Sequence, residues 1–504
     1  MTTTAPTPGV PFVDAGQLVS TNPATGEEVA RLPVSDADAV RAAVAAARSA
    51  AAWWAELGFG ERKKRLLAWN ALIVRRMPEL ARLMHAETGK PVGDALLEIA
   101  NTVEHLAWAA RNARRVLRPR RVRGSLLTPE FGGRLEYQPY GVLGVVGPWN
   151  YPVFTPMGSI AYGLAAGNAV VFKPSEYSPA VGQWLADSFA EIVSEQPVFQ
   201  VVHGTGEVGA ALTRSGVDKV SFTGSTATAK KVMAACAENL TPVVAECGGK
   251  DVMIVDADAD LDAAADAAIW GGMANAGQTC VGVERVYAVD SVYDALLARL
   301  VDRARNLKVG NEPDADIGPI TMPGQIEVIR RHIADALARG GRAVLGGHDA
   351  VQPPYVYPTI LVDVPEDSDA VCEETFGPTL TVHRVSDVEE ALRLANASRY
   401  GLGGAVFGRR NALRLARRLR SGMASINAPI AFAVLPSLPF GGVGDSGFGR
   451  IHGDDGLREF ARPKAIATRR MPSPVPLMTF RRTERANRLA QLAVRLMHGR
   501  RSRV

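Results

Sequence analysis

Apolar residues recur at helical spacing through SDADAVRAAVAAARSAAAWWAEL (35–57) and ERKKRLLAWNALIVRRMPELARLMHAETG (61–89). Residues 35–115 are therefore expected to be helical, with Ser35 as an N-cap. From residue 135 the rhythm changes to short apolar runs that end in turns: YGVLGVVGPWN, AVVFKPSE, FQVVHG and DKVSFTGS. Helical stretches such as SPAVGQWLADSFAEIVSE separate them. Strands alternating with helices predict a doubly wound parallel sheet. A second α/β region follows from about 250 to 445, with strands at VYAVD and YPTILVDV and helices at VYDALLARLVDRARNL and SDVEEALRLAN. The segment PRRVRGSLLTPEFGGRLEYQP (119–139) is strand-like and interrupts the first region, as an arm that pairs elsewhere would.

Composition narrows the class. The chain has 504 residues, 47% hydrophobic and 22% charged, which fits a globular protein of two or three domains. Its four cysteines, Cys236, Cys247, Cys280 and Cys372, form no C-x-x-C pair, so neither a disulfide framework nor a zinc site is expected and no metal ligand is assigned. Thiols so scattered suit a reducing cytosol. The first residues lack a basic segment followed by an apolar one, so no secretory signal is expected. The net charge of +5 is unevenly placed, because residues 479–504 hold eight arginines and one glutamate. The preceding chain is close to neutral, which argues against nucleic-acid binding by the main fold. In the tail, Leu489, Leu492, Ala493 and Leu496 share one helical stripe among arginines. Such a helix can lie on an anionic membrane, dock on protein or remain solvated, and the pattern leaves all three open.

The candidate chemistry begins with NAGQTC, where Cys280 sits among small and polar residues. Alone it reads as a structural thiol, a ligand or a nucleophile. VVAECGGKD places Glu246 after an apolar strand, and GPWNYP places Asn150 at a strand end, where ligands bind in open α/β sheets. Spacing alone does not bring the three together.

The ordered series PWNYP, VFKPSE, FTGST, ECGGK, NAGQTC, EETFGP and LPFGGVGDSGFG resembles the aldehyde dehydrogenase superfamily across about 145–450. The likeness is closest to the branch that includes fatty aldehyde dehydrogenases. It implies a Rossmann-like cofactor domain (1–118 and 140–247) and a second α/β catalytic domain (248–445). It also implies a small β oligomerisation arm (119–139 and 460–471), followed by the basic tail (472–504). By the same resemblance Cys280 is the nucleophile, Asn150 the oxyanion donor and Glu246 the base for thioester hydrolysis. Trp149, Lys173, Ser175, Glu176, Gly204, Phe222, Gly224, Ser225, Glu374 and Phe376 would meet the dinucleotide. Glu176 favours NAD, since a carboxylate accepts from free ribose hydroxyls and repels a 2′-phosphate; NADP stays an alternative.

Departures from the family pattern sharpen the reading. Ala229 stands where a glycine is common, and Cys247 where leucine is usual. Ala274 occupies the position of an arginine found in succinate-semialdehyde enzymes. Ile430, Phe432, Val434 and Leu435 fall in the substrate-mouth segment, so an apolar aliphatic or aromatic aldehyde is expected, with a semialdehyde as the alternative. An inactive structural relative is disfavoured by intact Cys280, Glu246 and Asn150. Cys236 and Cys372 read as inert, and His203 as a loop histidine. The arm and a strand near KAIATRR suggest a homodimer or homotetramer. The expected location is cytoplasmic, with peripheral membrane contact through the tail left open.

Overall fold

The protein is described here by a computed structural model covering residues 9–125, 127–312, 314–473 and 475–499. Its centre is a six-stranded sheet, ordered Gly447–Phe448, Val243–Glu246, Lys219–Thr223, Val142–Val146, Ala169–Lys173, Phe199–Val201. All neighbouring pairs are parallel except the first. Val142–Val146 begins the winding, and the chain runs outward from it to both sides. The order therefore reverses beside Val146 and Thr223, which opens a crevice at their carboxyl ends. This is the doubly wound sheet that the alternating apolar runs predict.

Helices Ala37–Glu56, Gly58–Arg75, Met77–Thr88 and Val92–Leu117 cover the sheet. Two tryptophans lock them down. Trp54 and Trp69 are fully buried, and their indole N–H groups donate to the Leu164 carbonyl (2.8 Å) and to Ser188 Oγ (2.9 Å). A buried indole needs such a partner to avoid an unpaid desolvation cost. The first helix is capped by Asp36, whose carboxylate accepts from the Ala39 N–H at 2.8 Å, rather than by Ser35. Ser35 instead ties the helix start to the sheet by exchanging hydrogen bonds with the His203 backbone.

A second, seven-stranded sheet is built on Asp251–Val255, Val283–Val289 and Thr379–Val385, with Arg342–Leu345 as its antiparallel edge. A third sheet pairs Phe131–Pro139 with Arg120–Arg123 on one side and Ala461–Arg469 on the other. Nearly the whole of Ala461–Arg469 is exposed. A short N-terminal sheet (Phe12–Asp14, Gln17–Thr21, Glu28–Pro33) precedes the helices and carries no signal in the apolar rhythm. Among the described residues no helix is long and apolar enough to cross a membrane.

Candidate active site

Cys280 lies on a loop that is under backbone strain. Helix Leu261–Met273 ends, and Asn275, Ala276 and Gly277 then take φ of 53°, 57° and 69°. Left-handed backbone costs an L-residue roughly 1–2 kcal/mol, so two non-glycine positions in succession must be held by their surroundings. The Asn275 N–H donates to Asp94 at 3.1 Å, and its side chain donates to the Asn150 carbonyl at 3.0 Å. Gln278 donates to the Asn275 carbonyl (3.0 Å) and accepts from the Thr321 N–H (2.9 Å). A side chain at Gly277 would run into the Gly377 carbonyl.

The braces come largely from one helix. On Val92–Leu117, Asp94, Glu98, Asn101 and His105 recur at helical spacing and face inward. Asp94 holds the cysteine loop. Glu98 accepts from the Val153 and Phe154 N–H groups, both at 2.9 Å, so it caps helix Phe154–Ala166, and it pairs with fully buried Lys90. Asn101 and His105 both hold the Ala433 carbonyl, at 3.3 and 3.0 Å. A negative charge at a helix N-terminus is stabilising, and an ion pair this dry persists because every remaining oxygen is bonded. None of these residues was assigned from sequence. The signal was present as a polar stripe at i, i+4, i+7 and i+11 on an otherwise apolar helix face.

Asn150 sits at the crevice, two residues past Pro148, and its Nδ2 donates to the Gln278 carbonyl at 2.9 Å. One amide proton remains for another acceptor. Asn150 and Cys280 line the same cavity, together with Trp149, Gly224, Glu374 and Phe376. Burial, followed by the carboxylates of Glu374, Asp251 and Glu246, pushes the Cys280 thiol well above its usual range. Glu246 is buried, and neither carboxylate oxygen has a partner among the described residues. Burial holds its pKa well above the ordinary carboxylate value, opposed only by the charge of Arg450. Its Oε1 packs against Gly441, and it does not line the cavity shared by Cys280 and Asn150. Cys247, next in the chain, does line it.

That cavity continues into a groove of about 660 Å³ over the carboxyl ends of the first sheet. Lys173, Ser175, Glu176, Phe222, Gly224 and Ser225 all line it. Ser225 caps helix Thr226–Ala237, whose N-terminus opens on the groove and suits a phosphate. A Cβ on Gly224 would crowd the Phe222 ring at 2.7 Å, so this turn needs glycine. A groove with an anion-ready helix start and glycine turn at the sheet's switch point fits a dinucleotide. Lys173 Nζ donates to Glu176 at 3.0 Å, and Arg214, another groove cation, is engaged by Glu238 at 3.1 Å. Gly204 is the exception: it does not line the groove, and a Cβ there would strike Val208, so its φ of 148° serves a turn.

The loop at the far end of the cavity is equally supported. Glu284 pairs with buried Lys250 and accepts from the Thr375 N–H (2.9 Å) and the Phe376 N–H (3.1 Å). Phe376 is thereby held at φ 52°, edge-on to Trp149 with ring centroids 5.6 Å apart. Glu374 accepts from the Gly249 N–H at 2.9 Å, and burial lifts its pKa to about 8.

Cys280 also lines a second pocket on its other side, with Tyr151, Phe154, Val281, Ile430, Val434 and Phe440. Among the described residues no Lys, Arg or His lies on its wall, and the charged residues there are Asp94 and Glu98. The sequence expectation for this wall needs correction at two positions. Phe432 turns inward on the short helix Ala431–Val434 and is buried against Phe440, while Leu435 is exposed and does not line the pocket. Ala433 and Phe440 take their places. His203 stands apart from the site, bonded to Gln183 at 2.7 Å.

Comparison with known proteins agrees with this arrangement. A sequence profile described as the aldehyde dehydrogenase family matches residues 12–466. The chain is 38% identical over 464 residues to a 4,4'-diapolycopene aldehyde oxidase of Methylomonas sp., covering 91% of this chain and 87% of that protein. It is 35% identical over 455 residues to a protein of Mycobacterium ulcerans named putative succinate-semialdehyde dehydrogenase [NADP(+)] 2, covering 89% and 88%. The crystal structure of an NAD-dependent aldehyde dehydrogenase from Sinorhizobium meliloti superposes with a TM-score of 0.87 at 33% identity, covering 91% of this chain and 92% of that one. The chain belongs to the aldehyde dehydrogenase family and is an NAD(P)-dependent oxidoreductase that acts on an aldehyde group.

Proposed function

We propose that the protein oxidises an apolar aldehyde to its carboxylic acid, with NAD as the preferred cofactor. The observation that carries this reading is the position of Cys280, shared between a dinucleotide-sized groove system and an apolar pocket whose wall has no cation. A carboxylate-bearing semialdehyde needs a cationic partner in such a pocket, and Ala274 and its neighbours supply none. The 38% identical relative is named for a diapolycopene aldehyde, which accords with an apolar substrate. The Mycobacterium relative's name favours the semialdehyde alternative, against which the wall chemistry weighs.

In this reading the Cys280 thiol gives its proton to solvent water and the sulfur attacks the carbonyl carbon, the C=O π pair moving onto oxygen to form a thiohemiacetal oxyanion. The free proton on Asn150 Nδ2 and the Cys280 backbone N–H stabilise the oxyanion. When bound, the oxidised dinucleotide would supply the acceptor for the hydride whose loss turns the thiohemiacetal into a thioester, and a positive charge opposing the burial and the carboxylates that hold the thiol protonated. The thioester is then hydrolysed by water from which Glu246 takes a proton. Glu246 keeps its proton where it is buried against Gly441, so it must leave that position and ionise before it can do so. Glu176, already paired with Lys173, accepts from the ribose hydroxyls and disfavours a 2′-phosphate.

Two further readings concern partners. The exposed strand Ala461–Arg469 and the exposed side chains of Val122 and Ile466 support assembly of a homodimer or homotetramer through the arm sheet. The tail helix Glu484–His498 exposes Leu489, Leu492 and Leu496 beside Arg485, Arg488 and Arg495, with Phe480 fully exposed just before it. That combination supports docking on an anionic lipid surface.

The deciding experiment is kcat/KM for hexanal, decanal, benzaldehyde and succinate semialdehyde, each with NAD and NADP, followed by reduced-nicotinamide absorbance. The reading requires decanal with NAD to lead. A preference for succinate semialdehyde would overturn it.

A further inference from the structure

Beside the apolar pocket lies a separate open groove of about 690 Å³, a volume in the range of small-molecule sites. The two share Asp94, Trp270 and Ala274 as a common wall. We propose that this groove is a second substrate subsite, which takes the distal part of a long-chain apolar aldehyde whose carbonyl is at Cys280. The proposal rests on the apolar-aldehyde reading above and extends it to chain length.

Three observations point to an alkyl chain as the occupant. The groove adjoins the pocket across Trp270 and Ala274, so a chain too long for the first pocket meets it on leaving. Trp270 gives the divide an exposed apolar face at 40% exposure beside the carboxylate of Asp94, and Leu97, on the pocket's rim, is 50% exposed. Large side chains left bare around a cavity mark a contact surface. Between its polar edges the groove is floored by partly buried Leu307 over the buried Ile269 and Ile317.

The edges restrict the chain's far end. Asp94, Asp266, Asp302, Asp314 and Asp316 line the groove, against Arg303 as the single cation there among the described residues. Arg303 is already bound by Asp262 and Asp266, and nearby Lys308 by Asp314. A terminal methyl group is admitted there, whereas a terminal carboxylate meets like charge. The geometry thus separates a long aldehyde ending in a methyl group from an equally long one ending in a carboxylate.

The test uses two substitutions that fill the groove without touching the Cys280 pocket, Ala315→Trp and Asn306→Trp; Ala315 is half-buried and Asn306 exposed. Steady-state kcat/KM is measured for hexanal, decanal, hexadecanal and an ω-carboxylated aldehyde of hexadecanal's length. In the unsubstituted protein kcat/KM is expected to rise from decanal to hexadecanal, by up to about fourfold per newly buried methylene, and to fall for the carboxylated chain. In the variants hexanal should stay within about twofold while hexadecanal drops by about tenfold or more. Equal retention of both chain lengths, or equal loss of both, overturns the subsite. No gain beyond decanal in the unsubstituted protein does so too. If succinate semialdehyde outperforms hexanal, it is the apolar reading of the first pocket that fails.

Discussion

Replacing Glu246 by Gln separates what this residue costs the fold from what it contributes to turnover. In the folded protein the carboxyl is buried against Gly441, without a hydrogen-bond partner among the described residues, and keeps its proton well above the ordinary carboxylate range. In the unfolded chain it ionises within that range. Between the two pKa values the folded state holds more protons, so stability falls as pH rises. Each pH unit inside that window removes about 1.4 kcal/mol that the neutral amide does not lose. For 504 residues melting as one unit, an unfolding entropy of about 2.1 cal/mol/K per residue converts this to a Tm gap that widens by roughly 1 °C per pH unit inside the window. Glu246→Gln should therefore match the unsubstituted protein at pH 5 and melt higher at pH 7, at equal protein concentration. The same variant should accumulate an acyl-enzyme adduct detectable by intact mass. Parallel Tm curves across this pH range would mean that Glu246 ionises freely in the folded state, and the argument from its dry position would be refuted. Unchanged steady-state turnover would refute its role as the deacylating base.

The remaining predictions address other parts of the molecule. Asn150→Ala should lower kcat by about 10²–10³, the usual loss of one oxyanion donor, and destabilise the cysteine loop by about 1 kcal/mol through the lost bond to Gln278; rapid-quench kinetics and thermal melts would read the two effects. Glu176→Gln should raise the ratio of kcat/KM with NADP to that with NAD by about tenfold or more, since it removes a like charge from the groove. Leu492→Glu on the exposed tail ridge should abolish co-sedimentation with phosphatidylserine vesicles, and binding by the unsubstituted protein should weaken with salt. Ile466→Lys on the arm strand should shift sedimentation velocity toward smaller species; an unchanged profile would remove the arm from the assembly.

The sequence was legible where a local pattern carries the information. Apolar runs alternating with helical stretches suffice for the doubly wound sheet, because strand and helix periods differ and the right-handed crossover leaves few arrangements. The family was legible because the seven short motifs follow one another in order; the roles of Cys280, Asn150 and Glu246 are what that membership implies. The N-terminal sheet was not, since its strands are short and only partly buried. The inward-facing Asp94, Glu98, Asn101 and His105 were written in the chain, yet their meaning depends on partners between 55 and 332 residues away.

Sequence by itself determined the kinds of chemistry available: a thiol, an amide, a carboxylate and a glycine turn before a helix. Tertiary structure decided how they are used. It strained the cysteine loop and braced it from a distant helix, and it placed Cys280 where two cavities meet. It left Glu246 dry and unpartnered, turned Phe432 into the core and assigned Gly204 to a turn. The physical reason is that burial and convergence belong to packing between distant segments. A pKa, a pocket wall or a strained φ is set by neighbours that residue order alone does not supply.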